Sequence, residues 1–132
     1  MIEVKKEGVL FTKTDLEFEN EGVFNPAVMR EGDSVHLFYR AVREGNHSSI
    51  GYCRLDGPLT LAERWDKPFM IPEFEYELHG NVDNIVFPTG TALFGNTLFI
   101  YYGAADTHVA CASISLSALT AESLSYTAKD GK

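Results

Sequence analysis

Apolar and polar residues alternate with a period of two along most of the chain, and the 3.6-residue period of an amphipathic helix is missing until its last part. Residues 35–42 are rich in β-branched and aromatic side chains and follow the turn signal Glu31-Gly32-Asp33, so they read as a strand. Residues 49–55 form the next strand, closed by Asp56-Gly57-Pro58, and the polar stretch 44–48 between them makes the loop of a hairpin. The pattern predicts an all-β chain. One short helix is expected over residues 115–124, with Leu116, Leu119 and Leu124 on one side and a fraying end from Lys129 to Lys132.

The same design recurs. Phe94-Gly95-Asn96 is a turn, residues 97–104 an aromatic strand, Asp106-Thr107-His108 a polar loop and residues 109–114 another strand. Residues 32–41 align with residues 95–104, and each unit follows an apolar segment ending in proline, Phe24-Asn25-Pro26 and Val86-Phe87-Pro88. A repeated β-meander is the mark of propeller blades, although about 40–50 residues per blade is the commoner spacing. The chain divides into a first unit (21–58), a connecting segment (59–80) rich in proline and acid, and a second unit (81–124). Closed propellers have about four to eight blades, so two units leave sheet edges open, and a homo-oligomer is expected to cover them.

At 132 residues the chain is one domain against a prior of about 150. Hydrophobic residues make up 45% and charged residues 23%, which supplies a core and excludes disorder. Nineteen acids against eleven bases give a formal charge of -8, which opposes phosphate neutralisation and argues against nucleic acid as a partner. The amino terminus has no apolar stretch of signal-peptide type and no run approaches the ~20 apolar residues of a membrane helix, so a cytoplasmic protein without membrane contact is expected. Cys53 and Cys111 lie in apolar strand-like runs outside any metal or redox motif, and both read as buried free thiols. His36, His47, His79 and His108 are scattered without metal spacing.

Some polar residues stand out. Arg40 interrupts an apolar strand, and a buried guanidinium needs a partner for its fork of donors: a local acid in the plain reading, a polar ligand in the functional one. Asp106 follows the second aromatic strand as Arg43 ends the first, and such strand ends converge around a propeller axis; the plain alternative is a solvated turn residue. Asn25 precedes a proline, which suits a turn as well as a ligand contact. Asp83 stands at a loop or strand start, with no second carboxylate at a known distance to make it a general acid. Glu73, Glu75 and Glu77, interleaved with Phe74 and Tyr76, read as a solvated face or as an aromatic and carboxylate set suited to sugar.

Taken as motifs, Phe24-Asn25-Pro26-Ala27, Leu37-Phe38-Tyr39-Arg40-Ala41-Val42-Arg43-Glu44-Gly45 and Ser49-Ile50-Gly51-Tyr52 resemble the first blade of glycoside hydrolase family 130, five-bladed β-propeller β-mannoside phosphorylases and hydrolases. Asn84-Ile85-Val86-Phe87-Pro88-Thr89-Gly90 and Tyr101-Tyr102-Gly103-Ala104-Ala105-Asp106-Thr107 resemble the same family's last blade. The resemblance implies a protein related to glycosidases and glycosyl-transferring phosphorylases, with a mannose-containing oligosaccharide as partner, phosphate as co-substrate if active, and no other cofactor. It carries sugar-contact roles over to Asn25, Arg40 and Asp106, with Tyr102 beside them. The family's Glu-Asp-Pro-Arg acid motif and the phosphate-binding side chains belong to blades that this chain lacks, which leaves Asp83 as the one candidate proton donor. Impaired or absent activity in a single copy is therefore expected. The alternatives are an enzyme rebuilt by self-association and a non-catalytic carbohydrate-binding or structural remnant.

Overall fold

The computed structural model describes residues 2–80 and 83–129. Two antiparallel meanders carry the fold. The first sheet runs β1 (Gly22–Glu31), β2 (Ser34–Arg43), β3 (His47–Asp56) and β4 (Thr60–Arg64), each paired with the next. The second runs β5 (Val86–Phe94), β6 (Thr97–Ala104) and β7 (His108–Ser115). A one-turn helix, α1 (Glu75–Leu78), lies between the sheets in sequence, and α2 (Leu116–Lys129) follows the second. Leu119 of α2 is buried in the core, as its periodicity predicts; the Leu124 side chain and residues 130–132 lie outside the described part.

The aligned glycines do the same job in both sheets. Gly32 (φ 57°) and Gly95 (φ 60°) begin two-residue turns that join Glu31 to Ser34 and Phe94 to Thr97. A positive φ at the first turn position matches the right-handed twist of the flanking strands, and glycine adopts it without a Cβ clash.

Alternation along β2 then sorts its side chains. Phe38 faces the second sheet, where it joins Ile50, Tyr52, Trp65, Val86, Leu98, Ile100 and Tyr102 in a continuous core between the sheets. Tyr52 is central to it, with ring centroids 5.3 Å from Phe38 and 4.9 Å from Trp65. Leu37, Tyr39 and Ala41 face the other way with Cys53 and Leu55, and Phe11 and Phe18 of the amino-terminal segment pack against that face. β1 and β5 lie side by side, and Thr91 Oγ1 donates to the Val28 carbonyl at 2.9 Å.

Several local readings change. β4 adds a fourth strand to the first sheet from the segment read as connecting, pairing Cys53 with Arg64 and Asp56 with Thr60. Asn25-Pro26 does not start a turn: it sits inside β1 at a bulge between Phe24 and Ala27. Both cysteines are free, but only Cys53 is buried. Cys111 is exposed because it points away from the intersheet core, on a face of the second sheet that also leaves Phe94, Tyr101 and Val109 in solvent. Glu77 does not belong to a solvated face. It is 2% exposed, because its carboxylate caps α1 from inside.

Candidate functional site

Arg40 lies on β2 directly opposite Phe24 of β1, and its guanidinium carbon sits 4.9 Å from the Phe24 ring centroid and 6.0 Å from that of Phe87 on β5. The cation is thus held between aromatic faces of both sheets. Its Nε donates to Ser48 Oγ at 2.7 Å, which fixes the plane of the fork. Burial pulls the Arg40 pKa down, and the negative charge of Asp106 opposes that shift. The two residues, on different sheets and far apart in sequence, are electrostatic neighbours.

Asp106 reaches this place through the turn after β6. Ala105 and Asp106 both adopt left-handed backbone (φ 50° and 55°), with Ala105 N–H donating to the Ile85 carbonyl and Thr107 Oγ1 to the Ala105 carbonyl. Gly80 allows that turn to close, since a Cβ there would overlap the Ala105 carbonyl and the Thr107 hydroxyl. Among the described residues the non-glycine positions with positive φ are Asn25, Asn46, Asn84, Ala105 and Asp106. All of them lie at the start of β1, in the loop after β2, just before β5 or in the turn after β6, which is the Arg40 end of the two sheets. Such conformations cost energy, most of all at an alanine, and they gather where a site must be shaped.

Asn25 follows Phe24 at the bulge, so it stands beside Arg40 on the exposed end of β1. Tyr102 is buried in the intersheet core, and its hydroxyl donates to Glu77 Oε1 at 2.6 Å. Burial, followed by that contact with Glu77, raises the Tyr102 pKa far above the ordinary phenol value. Asp83 is exposed in the turn before β5. Its Oδ1 accepts from the Gly80 N–H at 3.2 Å, and its Oδ2 lies 3.9 Å from His79 Nδ1. The structure therefore brings the charges of Arg40 and Asp106 near each other, sets Asn25 next to Phe24 opposite Arg40, buries Tyr102 in the intersheet core, and leaves Asp83 bonded within its own turn.

Two residues of this end escape sequence reasoning. Ser48 accepts from Arg40 through its side chain, while its backbone N–H donates to the Asn84 carbonyl at 3.0 Å, tying the sheets together beside the site. Nothing in their types announces this; the one available signal is that Ser48 lies two residues before Ile50, the residue opposite Arg40, and so on the same face of β3. A cavity of about 470 Å³ is lined by Ser48 and Asn84 together with Arg43, Asp66 and Lys67. Among the described residues no cluster of three or more His, Cys, Asp or Glu side chains is placed to hold a metal ion, and no helix is long and apolar enough to cross a membrane.

The family model described as beta-1,4-mannooligosaccharide phosphorylase matches residues 17–121. The chain belongs to glycoside hydrolase family 130. It is 35% identical over 100 residues to the beta-1,2-mannobiose phosphorylase of Thermoanaerobacter sp. (strain X514), covering 74% of this chain and 33% of that one. It is 31% identical over 97 residues to the 1,2-beta-oligomannan phosphorylase of the same organism, covering 72% and 32%. The beta-1,2-mannobiose phosphorylase from Listeria innocua, solved with beta-1,2-mannobiose, superposes with a TM-score of 0.79 at 25% identity over 86% of this chain and 33% of that structure. A glycosyl hydrolase from Bacteroides ovatus superposes at 0.70 and 27% identity. The chain spans about a third of the length of these family 130 relatives, and its two antiparallel sheets correspond to part of their fold.

Proposed function

We propose that this chain binds β-mannosides at the end of the sheets that carries Asn25, Arg40 and Asp106, and that a single copy turns them over slowly or not at all. The observation that carries the reading is the Arg40 guanidinium held between Phe24 of the first sheet and Phe87 of the second, with the charge of Asp106 acting on it. A guanidinium donates to sugar hydroxyls, a carboxylate accepts from them, and the Asn25 amide does both, so vicinal hydroxyls of a mannosyl unit find donors and acceptors together. The Tyr102 hydroxyl is already committed to the buried Glu77, so in this reading it is a support for the strand and not a sugar contact.

Phosphorolysis asks for more. A phosphate oxygen must bond to the anomeric carbon as the glycosidic C–O bond breaks, while a general acid gives its proton to the departing oxygen. Asp83 is the acid of this reading, and its own turn already engages Oδ1, which accepts from the Gly80 N–H, with His79 Nδ1 3.9 Å from Oδ2. General acid catalysis is worth about 10²–10⁴ in rate, and a cationic cradle for phosphate is a separate contribution. Incubation with β-1,2-mannobiose and phosphate is expected to release mannose 1-phosphate only in traces. Turnover at ordinary enzyme rates that Asp83→Asn abolishes would overturn the second half of the proposal.

A second reading has its own observation: the outer face of the second sheet exposes Phe94 (66%), Val109 (85%) and Tyr101 (38%). A second copy covering that face forms a homo-oligomer and completes the site from a neighbour. Light scattering at micromolar concentration separates the two, since a stable monomer excludes reassembly.

A further inference from the structure

The two sheets end differently. The first stops at β4, an edge strand of five residues that carries Glu63 and Arg64. The second stops at β7, whose eight residues from His108 to Ser115 include no proline, carboxylate, lysine or arginine. Short length and charge keep a sheet edge from pairing with another chain, and β7 has neither protection. β7 is the third strand of its sheet, as β3 is of the first. β3 has a strand on each side and seven of its ten residues are buried, whereas β7 pairs with β6 alone and none of its eight is buried. Among the described residues, the backbone groups of β7 that point away from β6 meet no backbone partner, because the chain turns into α2 instead of returning as a fourth strand.

A strand-forming segment without a sheet stands elsewhere in the molecule. Residues 2–10 belong to no helix or strand and are all exposed, with Ile2 at 89% and Val4 at 82%. Ile2 and Val4 alternate with Glu3 and Lys5, so an extended backbone sets both β-branched side chains on one face and both charges on the other. Phe11 anchors this arm on the face of the first sheet that points away from the second, which leaves the β7 edge of another molecule as its fitting partner. Charge agrees. Residues 2–14 carry three lysines against two glutamates in a chain of net charge -8, and residues 86–122, which hold all of the second sheet, carry Asp106 and Glu122 but no lysine or arginine.

We infer that residues 2–6 of a second copy add to β7 as the fourth strand of the second sheet, with Ile2 and Val4 beside Val109 and Cys111 on its outer face. Each copy gives an arm and receives one, so the exchange closes as a two-fold dimer. Backbone hydrogen bonds along the edge supply the affinity, and the alternating apolar side chains set the register. The contact is an edge that does not involve Phe94, and it is independent of the mannoside reading.

Sedimentation velocity at micromolar concentration is expected to show a dimer of the full chain. Val4→Pro, at an exposed position outside the core, removes a ladder N–H and is expected to weaken dimerisation about tenfold while the far-ultraviolet circular dichroism stays as it was. Phe94→Lys leaves the dimer intact. Under diamide oxidation Val4→Cys is expected to form a disulfide with Cys111 of the second copy, Glu3→Cys on the opposite face is not, and the link disappears in the Val4→Cys/Cys111→Ser chain. A wild-type monomer, or a dimer that Val4→Pro leaves at full strength, would overturn the inference. A dimer lost in Phe94→Lys would move the contact to the outer face, and a disulfide closed within one chain would lay the arm on its own sheet; either result overturns the exchange as well.

Discussion

The Tyr102 hydroxyl donates to Glu77 Oε1 across 2.6 Å, and the other oxygen of that carboxylate accepts from the backbone N–H groups of Glu73 (2.6 Å) and Phe74 (2.8 Å). One buried acid thereby caps α1 and anchors the aromatic strand of the second sheet. The first sheet repeats the arrangement at the aligned tyrosine. Tyr39 donates to Glu19 Oε1 at 2.7 Å, and Glu19 Oε2 accepts from Thr14 and Arg64, each at 2.7 Å. Each unit thus locks its central strand to the segment that precedes it through a tyrosine and a buried glutamate.

Tyr102→Phe is expected to destabilise the chain by about 1–3 kcal/mol, because Glu77 stays buried while its Oε1 loses its donor. Urea denaturation followed by tryptophan fluorescence reads this through Trp65 of the intersheet core. An unchanged midpoint would show that the carboxylate finds another donor and that the lock is dispensable.

Gly103→Ala is expected to cost about 1–3 kcal/mol by overpacking, since a Cβ at Gly103 runs into the Phe87 ring. Phe87 also flanks Arg40, so the same change disturbs the site from behind. Gly90→Ala makes a useful contrast, with nothing near the added methyl. A Gly103→Ala midpoint equal to that of Gly90→Ala would contradict the packing.

The cysteines differ in reactivity. Burial pushes the Cys53 thiol up from 9.0 to about 12, with Arg64 opposing and Glu19 adding to the shift, so it stays protonated and shielded at pH 8. A native chain is expected to react with a maleimide at Cys111 alone, and a denatured chain at both. Because the folded pKa is raised, the neutral thiol's contribution to stability is whole below pH 9 and is lost as pH rises toward 12. The Tyr39 and Tyr102 hydroxyls, raised above their ordinary 10.0 by burial first and then by their glutamates, act with the same sign. Urea midpoints should therefore fall above about pH 9, and Cys53→Ala should delay the start of that fall. A midpoint that rises between pH 9 and 11 would contradict this.

Much of the fold was legible because its signals are local. The glycine turns at Gly32 and Gly95 and the alternation around them define both hairpins, and their alignment reveals the repeat. β4 was harder to see: it is short, it lies on an edge, and three of its five residues face solvent. Cys111 looked buried because an apolar run reads alike whether or not anything covers its second face. Glu77 looked solvated because the partner that justifies its burial, Tyr102, belongs to another element. At the site, strand position singles out Arg40 and repeat register singles out Asp106 as candidates, and their sugar-contact roles come from the family resemblance. The Ser48 link to Asn84 depends on backbone conformation at Asn84 (φ 57°), which residue type does not announce.

The proposed mannoside site rests on Asn25, Arg40 and Asp106 acting on one ligand, and a titration of β-1,2-mannobiose into wild-type and Asp106→Asn chains tests this most directly. The account predicts saturable movement of all three residues' resonances, with an affinity of order 1 mM, and a variant that keeps its fold and urea midpoint but loses the binding. Saturating sugar that moves none of the three, together with an Asp106→Asn chain that is only less stable, would contradict it and leave Asp106 as a structural partner of Arg40.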